Sequence, residues 1–328
     1  AVTDARQTTP PPMTMAAWAQ LIVLGTIWGG SFFFARIAVL EIAPLTLVLL
    51  RVGIAAAALQ LYLAARGIAF APVLKKWPVF LLLALVNNVI PFSLMFFGQT
   101  ALGAGAASVL NATTPFWTII VASLLIAEEK ASPAKVFGIV LGIAGTAVMV
   151  GPGLAAGLGG PVWAKMALLG MAFSYAFAFV VARRLSGLAP TLVAAGQLSA
   201  STLIMLPVVA LTQNATALAT VGAGTWAAVL GLALLSTAFA YILYFRIVAA
   251  AGATNASLVT LIVPVSGIVL GALFLGERLA WFELAGMGLI ACGLLVIDGR
   301  VLRGRTSVAA APETPSAPGQ AGKKSTGA

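Results

Sequence analysis

Apolar stretches of about 18 to 25 residues alternate along this chain with short polar breaks. Ten can be drawn, at about 16 to 37, 44 to 65, 78 to 98, 101 to 126, 133 to 150, 162 to 182, 190 to 211, 224 to 247, 253 to 275 and 281 to 298. At 1.5 Å per residue each is long enough to cross a hydrocarbon layer of ~30 Å as an α-helix, and too long for the strands of a membrane barrel. Lipid offers the backbone no hydrogen-bonding partner, so runs of this length must satisfy their own N–H and C=O groups by coiling. The pattern predicts an all-α membrane protein of ten transmembrane helices.

Small and polar residues inside these stretches recur at a fixed spacing. An offset of 149 carries Gly103 to Gly252, Ala107 to Ala256, Ser108 to Ser257, Pro115 to Pro264 and Glu128 to Glu277. One residue then drops out, and an offset of 148 matches Gly138 to Gly286, Gly145 to Gly293 and Gly151 to Gly299; upstream, Pro44 falls on Pro190 at 146. The chain is therefore a duplication of a five-span unit. An odd number of spans makes the second copy enter the membrane from the opposite side, the inverted-repeat plan of secondary transporters. The predicted organisation is a disordered segment at 1–15, a first five-helix repeat at 16–151, an inverted second repeat at 152–299 and a disordered tail at 300–328, rich in Ala, Gly, Pro, Ser and Lys. The apolar run that follows Pro10, Pro11 and Pro12 is too long for a signal peptide, so the first span is expected to be retained.

Composition agrees and removes several chemistries. Apolar residues make up 61% of the 328 positions and charged ones 8%, against roughly 45–50% and 25% in soluble domains. The one cysteine, Cys292, permits neither an internal disulfide nor a thiolate cluster, and the absence of histidine removes imidazole metal ligands and a Ser-His pair. No cofactor is expected. The net charge of +10 would suggest a nucleic-acid partner in a soluble protein. Here, with a cytoplasmic N-terminus, fourteen basic residues fall inside and only Arg36, Lys165 and Arg278 near the outer face, so the charge orients the protein and no nucleic-acid partner is expected.

A solute pathway needs polar groups on interior faces, because lipid-facing ones are costly. Asn88, Phe92, Met95 and Gln99 share one face of the third span, and the repeat places Thr237, Tyr241, Tyr244 and Val248 on the equivalent face of the eighth. The two faces are candidate cavity walls, the alternative being plain helix packing with bonded tyrosine hydroxyls. Asn111, Thr114 and Thr118 form a polar face beside Pro115. Pro115 and Pro264 are candidate hinges, since proline frees a backbone carbonyl and permits a kink. Trp28, at mid-depth, and Tyr175 are candidate solute contacts through ring faces and polar tips. Arg51, within the second span, needs a partner, and two stay open: carbonyls at a helix end, or a solute carboxylate. Glu128 and Glu277, at span ends, fit helix-end anchors or gate contacts better than proton carriers.

The segment Ile27-Trp28-Gly29-Gly30-Ser31-Phe32, followed by Pro44 and Arg51, resembles the opening of EamA-type proteins of the drug/metabolite transporter superfamily. Pro115 and Pro264, each preceding a glutamate, resemble the repeated signature of that family's fourth and ninth helices. The resemblance implies a multi-pass carrier of the bacterial inner membrane with both termini cytoplasmic, exporting small metabolites by alternating access. Its amino-acid exporter branch is similar in length and in its acid-poor spans. The substrate-binding set expected on these grounds is Trp28, Asn88, Phe92, Gln99, Asn111, Tyr175, Tyr241 and Tyr244, with Arg51, Pro115 and Pro264 as gate or hinge. The partners expected are a small molecule, amino acids above all, and the lipid bilayer. A nucleotide-sugar or phosphate-ester carrier is the alternative within transporters, though Arg51 alone is a poor supply of cavity cations. A membrane scaffold or a lipid-acting enzyme is the alternative outside them, and the sequence holds no clustered acid or metal set for the enzyme.

Overall fold

The computed structural model describes residues 14–126, 132–156, 159–213, 215–251, 256 and 258–298. Among them every regular element is helical. The main helices are α1 (Met15–Ala38), α2 (Pro44–Ala65), α3 (Trp77–Ala101), α4 (Ala104–Leu125) and α5 (Pro133–Ala156), then α6 (Val162–Ala182), α7 (Pro190–Thr212), α8 (Ala223–Val248), α9 (Val259–Leu275) and α10 (Trp281–Asp298). Eight are long and apolar enough to cross a membrane, and α9 and α10 are shorter apolar helices. With 61% apolar residues on an all-helical frame, this is a membrane protein. Residues 1–13 and 299–328, and Glu128, Glu129 and Ser257, lie outside the described residues; Thr14 and Met15, expected in the disordered segment, instead cap and open α1.

Local chemistry sets the helix ends. Pro44 and Pro190 open α2 and α7, at the position where a missing N–H costs nothing. Thr14 caps α1 through its hydroxyl, which accepts from Ala17 N at 3.2 Å. Gly276 ends α9 at φ +65°, a left-handed conformation open to glycine.

Packing repeats with the halves exchanged. Helix α5 packs on α10 and α2 on α7. The pair α1–α9 is matched by α6–α4, α3–α6 by α8–α1, and α2–α8 by α7–α3. Lipid tails are as apolar as leucine, so helices associate through close backbone approach rather than hydrophobic burial. A Cβ on Gly138 would stand 2.7 Å from Gly293 O, and one on Gly145 2.6 Å from Gly286 O; Gly286 and Gly293 return the contact at 2.6 Å each. Gly29 in α1 meets Val263 O of α9 in the same way, at 2.7 Å. Leu61, Leu124, Leu273 and Phe274 stay exposed, as side chains facing lipid do.

The duplication extends to irregularities in the helices. Helix α3 carries a π-helical segment at Leu85–Val89 and α8 one at Gly231–Phe239, and the offset of 149 drops the first inside the second. The local causes differ. Pro91 has no N–H to offer the Asn87 carbonyl, whereas in α8 the Thr237 hydroxyl donates to Leu232 O at 2.8 Å. The two prolines expected as matched hinges also differ. Helix α4 is broken at Ala112–Thr113 and restarts at Thr114, with Pro115 in its first turn, while Pro264 sits inside the unbroken Val259–Leu275.

Candidate functional site

Helices α2 and α7 cross between the halves, and each brings a polar residue seven positions after its opening proline: Arg51 on α2 and Gln197 on α7. Both are buried, at 5% and 3% exposure. The flanking helices present their π segments to these residues. Arg51 Nε donates to Thr237 Oγ1 of α8 at 3.0 Å, and Asn87 Nδ2 of α3 donates to Gln197 Oε1 at 2.8 Å. As helix pairs, α2–α8 and α7–α3 are equivalent with the halves exchanged, though the partners stand one position apart, since the offset of 149 pairs Thr237 with Asn88 and Asn87 with Ser236; one contact is charged and the other neutral.

The neutral side is a network of side chains with one acceptor left over. Asn87, Gln197 and the Tyr241 hydroxyl hydrogen-bond together, and Asn88 Nδ2 donates to Ser201 Oγ at 3.0 Å while Ser201 donates to Gln197 O at 2.7 Å. Asn88 Oδ1 is buried and accepts from no described residue. The charged side is less complete. Beyond Thr237, Arg51 reaches the Met95 sulfur at 3.9 Å and lies over the Phe92 ring, 3.7 Å from its centroid. Stacking on an aromatic face is worth ~2 kcal/mol when desolvated. Removing an ion from water costs several kcal/mol even after relaxation, so these neutral neighbours under-compensate the guanidinium.

Aromatic rings surround the pair. Trp28 of α1 meets Tyr244 of α8 with centroids 5.4 Å apart, Tyr241 stacks on Phe245 at 6.2 Å, and Tyr175 of α6 lies within electrostatic reach of both Arg51 and Tyr241. Ser174 donates to Val86 O at 2.8 Å and so pins α6 to the π segment of α3. Trp28, Asn88, Phe92, Tyr175, Tyr241 and Tyr244 are thus gathered around the α2–α7 crossing, with Arg51 among them rather than at a helix end, and among the described residues no carbonyl accepts from it.

Gln99 and Asn111 are placed elsewhere. Gln99 is fully buried, but its Nε2 donates to Phe32 O at 2.8 Å, and Arg36 donates to the Gln99 and Thr100 carbonyls, tying the end of α3 to α1. Asn111 is half-buried at the break in α4, where its carbonyl accepts from Thr114 Oγ1 at 2.7 Å; among the described residues no hydrogen bond or ring contact joins it to the cluster. Asn87, Gln197 and Ser201 join the cluster without having been expected there, whereas Thr237 lies on the face of the eighth span read as a cavity wall. The signal for Gln197 was present in the sequence, because the offset of 146 that pairs Pro44 with Pro190 also pairs Arg51 with Gln197.

A second feature lies at one end of the bundle, a cavity of about 430 Å³ lined by residues including Arg36, Leu102, Gly103, Glu277, Arg278 and Glu283. Glu277 accepts from the N–H groups of Ala104 at 2.8 Å and Gly105 at 3.0 Å, and so caps α4 from the far end of α9. Glu41 does the same for α8, accepting from Gly222 N and Thr225 Oγ1, both at 2.7 Å. Those donors hold the Glu41 carboxyl below the usual carboxylate range. Both glutamates anchor helix N-termini, where the positive end of the helix dipole favours a carboxylate.

A helical bundle of duplicated build, with polar side chains turned into its interior from both halves, defines a multi-pass membrane protein of the transporter class. Residues 15–151 and 162–298 each match the EamA-like transporter family, and the chain belongs to that family. It is a transporter and not an enzyme. It is 26% identical over 301 residues to a probable terminal-alkyne amino-acid exporter of Streptantibioticus cattleyicolor, covering 92% of this chain and 98% of that protein. YedA, an uncharacterized inner membrane transporter of Escherichia coli, is 27% identical over 84% of this chain and 89% of its own length. YvbV, an uncharacterized transporter of Bacillus subtilis, is 27% identical over 68% and 72% respectively. A solved crystal structure superposes with a TM-score of 0.62 at 21% identity, over 88% of this chain and 98% of that one, a likeness of fold.

Proposed function

We propose that this transporter exports small metabolites, amino acids foremost, across the bacterial inner membrane by alternating access between two inverted five-helix halves. The observation that carries the reading is that α2 and α7, where they cross, each present a buried polar residue to the π segment of the opposite half, Arg51 to Thr237 and Gln197 to Asn87. A solute held there touches both halves, and rocking one against the other would change which side it faces. Ten spans follow if α9 and α10 cross as well. At 17 and 18 residues they reach ~26 Å, within the range a membrane accommodates by local thinning or by snorkelling of flanking residues. The amino-acid class is supported by the Streptantibioticus relative, and by a cluster rich in aromatic rings with a single basic group. A nucleotide-sugar or phosphate ester would call for more than one cation at that point.

Counterflow in proteoliposomes is the direct test. Vesicles loaded with unlabelled leucine or phenylalanine should accumulate the labelled amino acid from outside, transiently and with no imposed ion gradient. Vesicles that never exceed protein-free controls for any amino acid would defeat the assignment. The orientation rests on the fourteen-to-three charge asymmetry and puts both termini in the cytoplasm. A reporter fused to the C-terminus should be active only in its cytoplasmic form, and activity confined to the periplasm would reverse the topology.

A further inference from the structure

Among the described residues the buried guanidinium of Arg51 has no counter-ion. The carboxylates whose side chains are described are each committed at a helix end: Glu41 to Gly222 and Thr225, Glu277 to Ala104 and Gly105, and Glu283 to Ala280 N at 2.8 Å. No other acid in the sequence falls within the interior of a predicted span. A guanidinium offers five donors. Here one goes to Thr237, whose own hydrogen is already given to Leu232 O so that a lone pair faces the arginine, and one goes to a thioether, a weak acceptor. About three donors of the five are left, on a fork whose shape matches a carboxylate.

We propose that Arg51 anchors the carboxylate of the transported solute, so that the carrier takes carboxylates, above all amino acids with apolar or aromatic side chains, and rejects the corresponding amides and amines. This rests on the carrier reading above and names its selectivity. The rest of the zwitterion is provided for nearby. Asn88 Oδ1, buried and accepting from no described residue, stands one helical turn before Phe92, the ring on which Arg51 lies, and is an acceptor for the solute ammonium. The Trp28–Tyr244 pair adds aromatic faces for the side chain. The repeat gives one anchor rather than two: the equivalent position on α7 is Gln197, which is neutral and whose Oε1 already accepts from Asn87, so the site carries a single positive charge and fits a single carboxylate.

The test compares L-phenylalanine, L-phenylalaninamide and phenethylamine on the full-length protein. Binding is read as a shift in thermal unfolding of purified protein, and transport as counterflow. Wild type should be stabilised by the acid at least about tenfold more effectively, in concentration, than by the amide or the amine, a tenfold ratio being what a modest difference in charged hydrogen bonding supplies. Arg51→Gln should abolish that preference. If Arg51→Gln does not fold, the wild-type series still decides. A wild-type protein that binds the amide as well as the acid, or a folded Arg51→Gln that keeps the acid preference, overturns the anchor and leaves the carrier reading standing. Arg51-dependent binding with no counterflow would do the reverse. Failure of the acid both to bind and to exchange would remove both.

Discussion

Valine at both Gly145 and Gly286 should leave the chain unable to seat α5 against α10. Each glycine meets the carbonyl oxygen of the other, and a Cβ at either would fall 2.6 Å from it. Overpacking in a core that can shift its side chains costs ~1–3 kcal/mol per site. Here the obstacle is backbone, so relief requires the helix axes to separate along the whole seam, and the close contact that drives association in lipid goes with it. The expected result is a large fall in monodisperse protein after detergent extraction, with flux reduced in proportion. Gly288, on the same helix α10, has nothing within 4 Å of its would-be Cβ, so Gly288→Ala should be neutral or slightly stabilising, alanine being the better helix former by ~1 kcal/mol. Thermal unfolding followed by size-exclusion chromatography separates the two; a double valine variant that melts with wild type would show that the seam is not tight.

Leucine at Gln197 should separate transport from stability. The substitution leaves the Asn87 amide and the Tyr241 hydroxyl without the partner they share. In water-soluble cores an unsatisfied buried donor costs ~1–3 kcal/mol, but hydrogen bonds between membrane helices average only ~0.6 kcal/mol, with a maximum of ~1.7, because groups in lipid find other partners. The fold should therefore survive, while flux drops on the order of tenfold, since a displacement of about an ångström in groups that touch solute can cost more than that. Asn87→Leu with Gln197→Leu should lose less than the sum of the single losses, as members of one network do. Additive losses in flux would mean that the two residues act separately, and unchanged flux in Gln197→Leu would take the α7 contact out of the pathway.

Much of this protein was open to reading before any coordinates. Helical character follows from apolar length alone, because lipid leaves the backbone of such a run no other way to bond. The repeat follows from glycines, prolines and glutamates at fixed offsets, and the same glycines form the seam in which Gly138 and Gly145 meet Gly293 and Gly286. The buried face of α3 followed from helical periodicity, and Asn88, Phe92, Met95 and Gln99 are all buried.

Periodicity says which face a residue occupies, not what stands across from it, and at that point the tertiary structure took over. Gln99 shares its face with Asn88, yet it is used to tie α3 to the Phe32 carbonyl near the end of the bundle. The matched prolines read as equivalent hinges, yet only α4 is broken beside its proline among the described residues, since neighbouring packing decides whether a freed carbonyl opens a helix or is absorbed. The partner of Arg51 was the largest gap. A lone arginine in an apolar run declares that it needs compensation, but whether carbonyls, a carboxylate or neutral rings supply it depends on which helices cross there. The crossing of α2 with α7, and the approach of α8 through its π segment, placed Thr237, Met95 and Phe92 around the guanidinium, contacts 44 and 186 residues apart in sequence for Met95 and Thr237. Apolar length and repeat spacing are properties of the chain by itself; a charge balance is a property of its neighbours, and only the packed bundle chooses them.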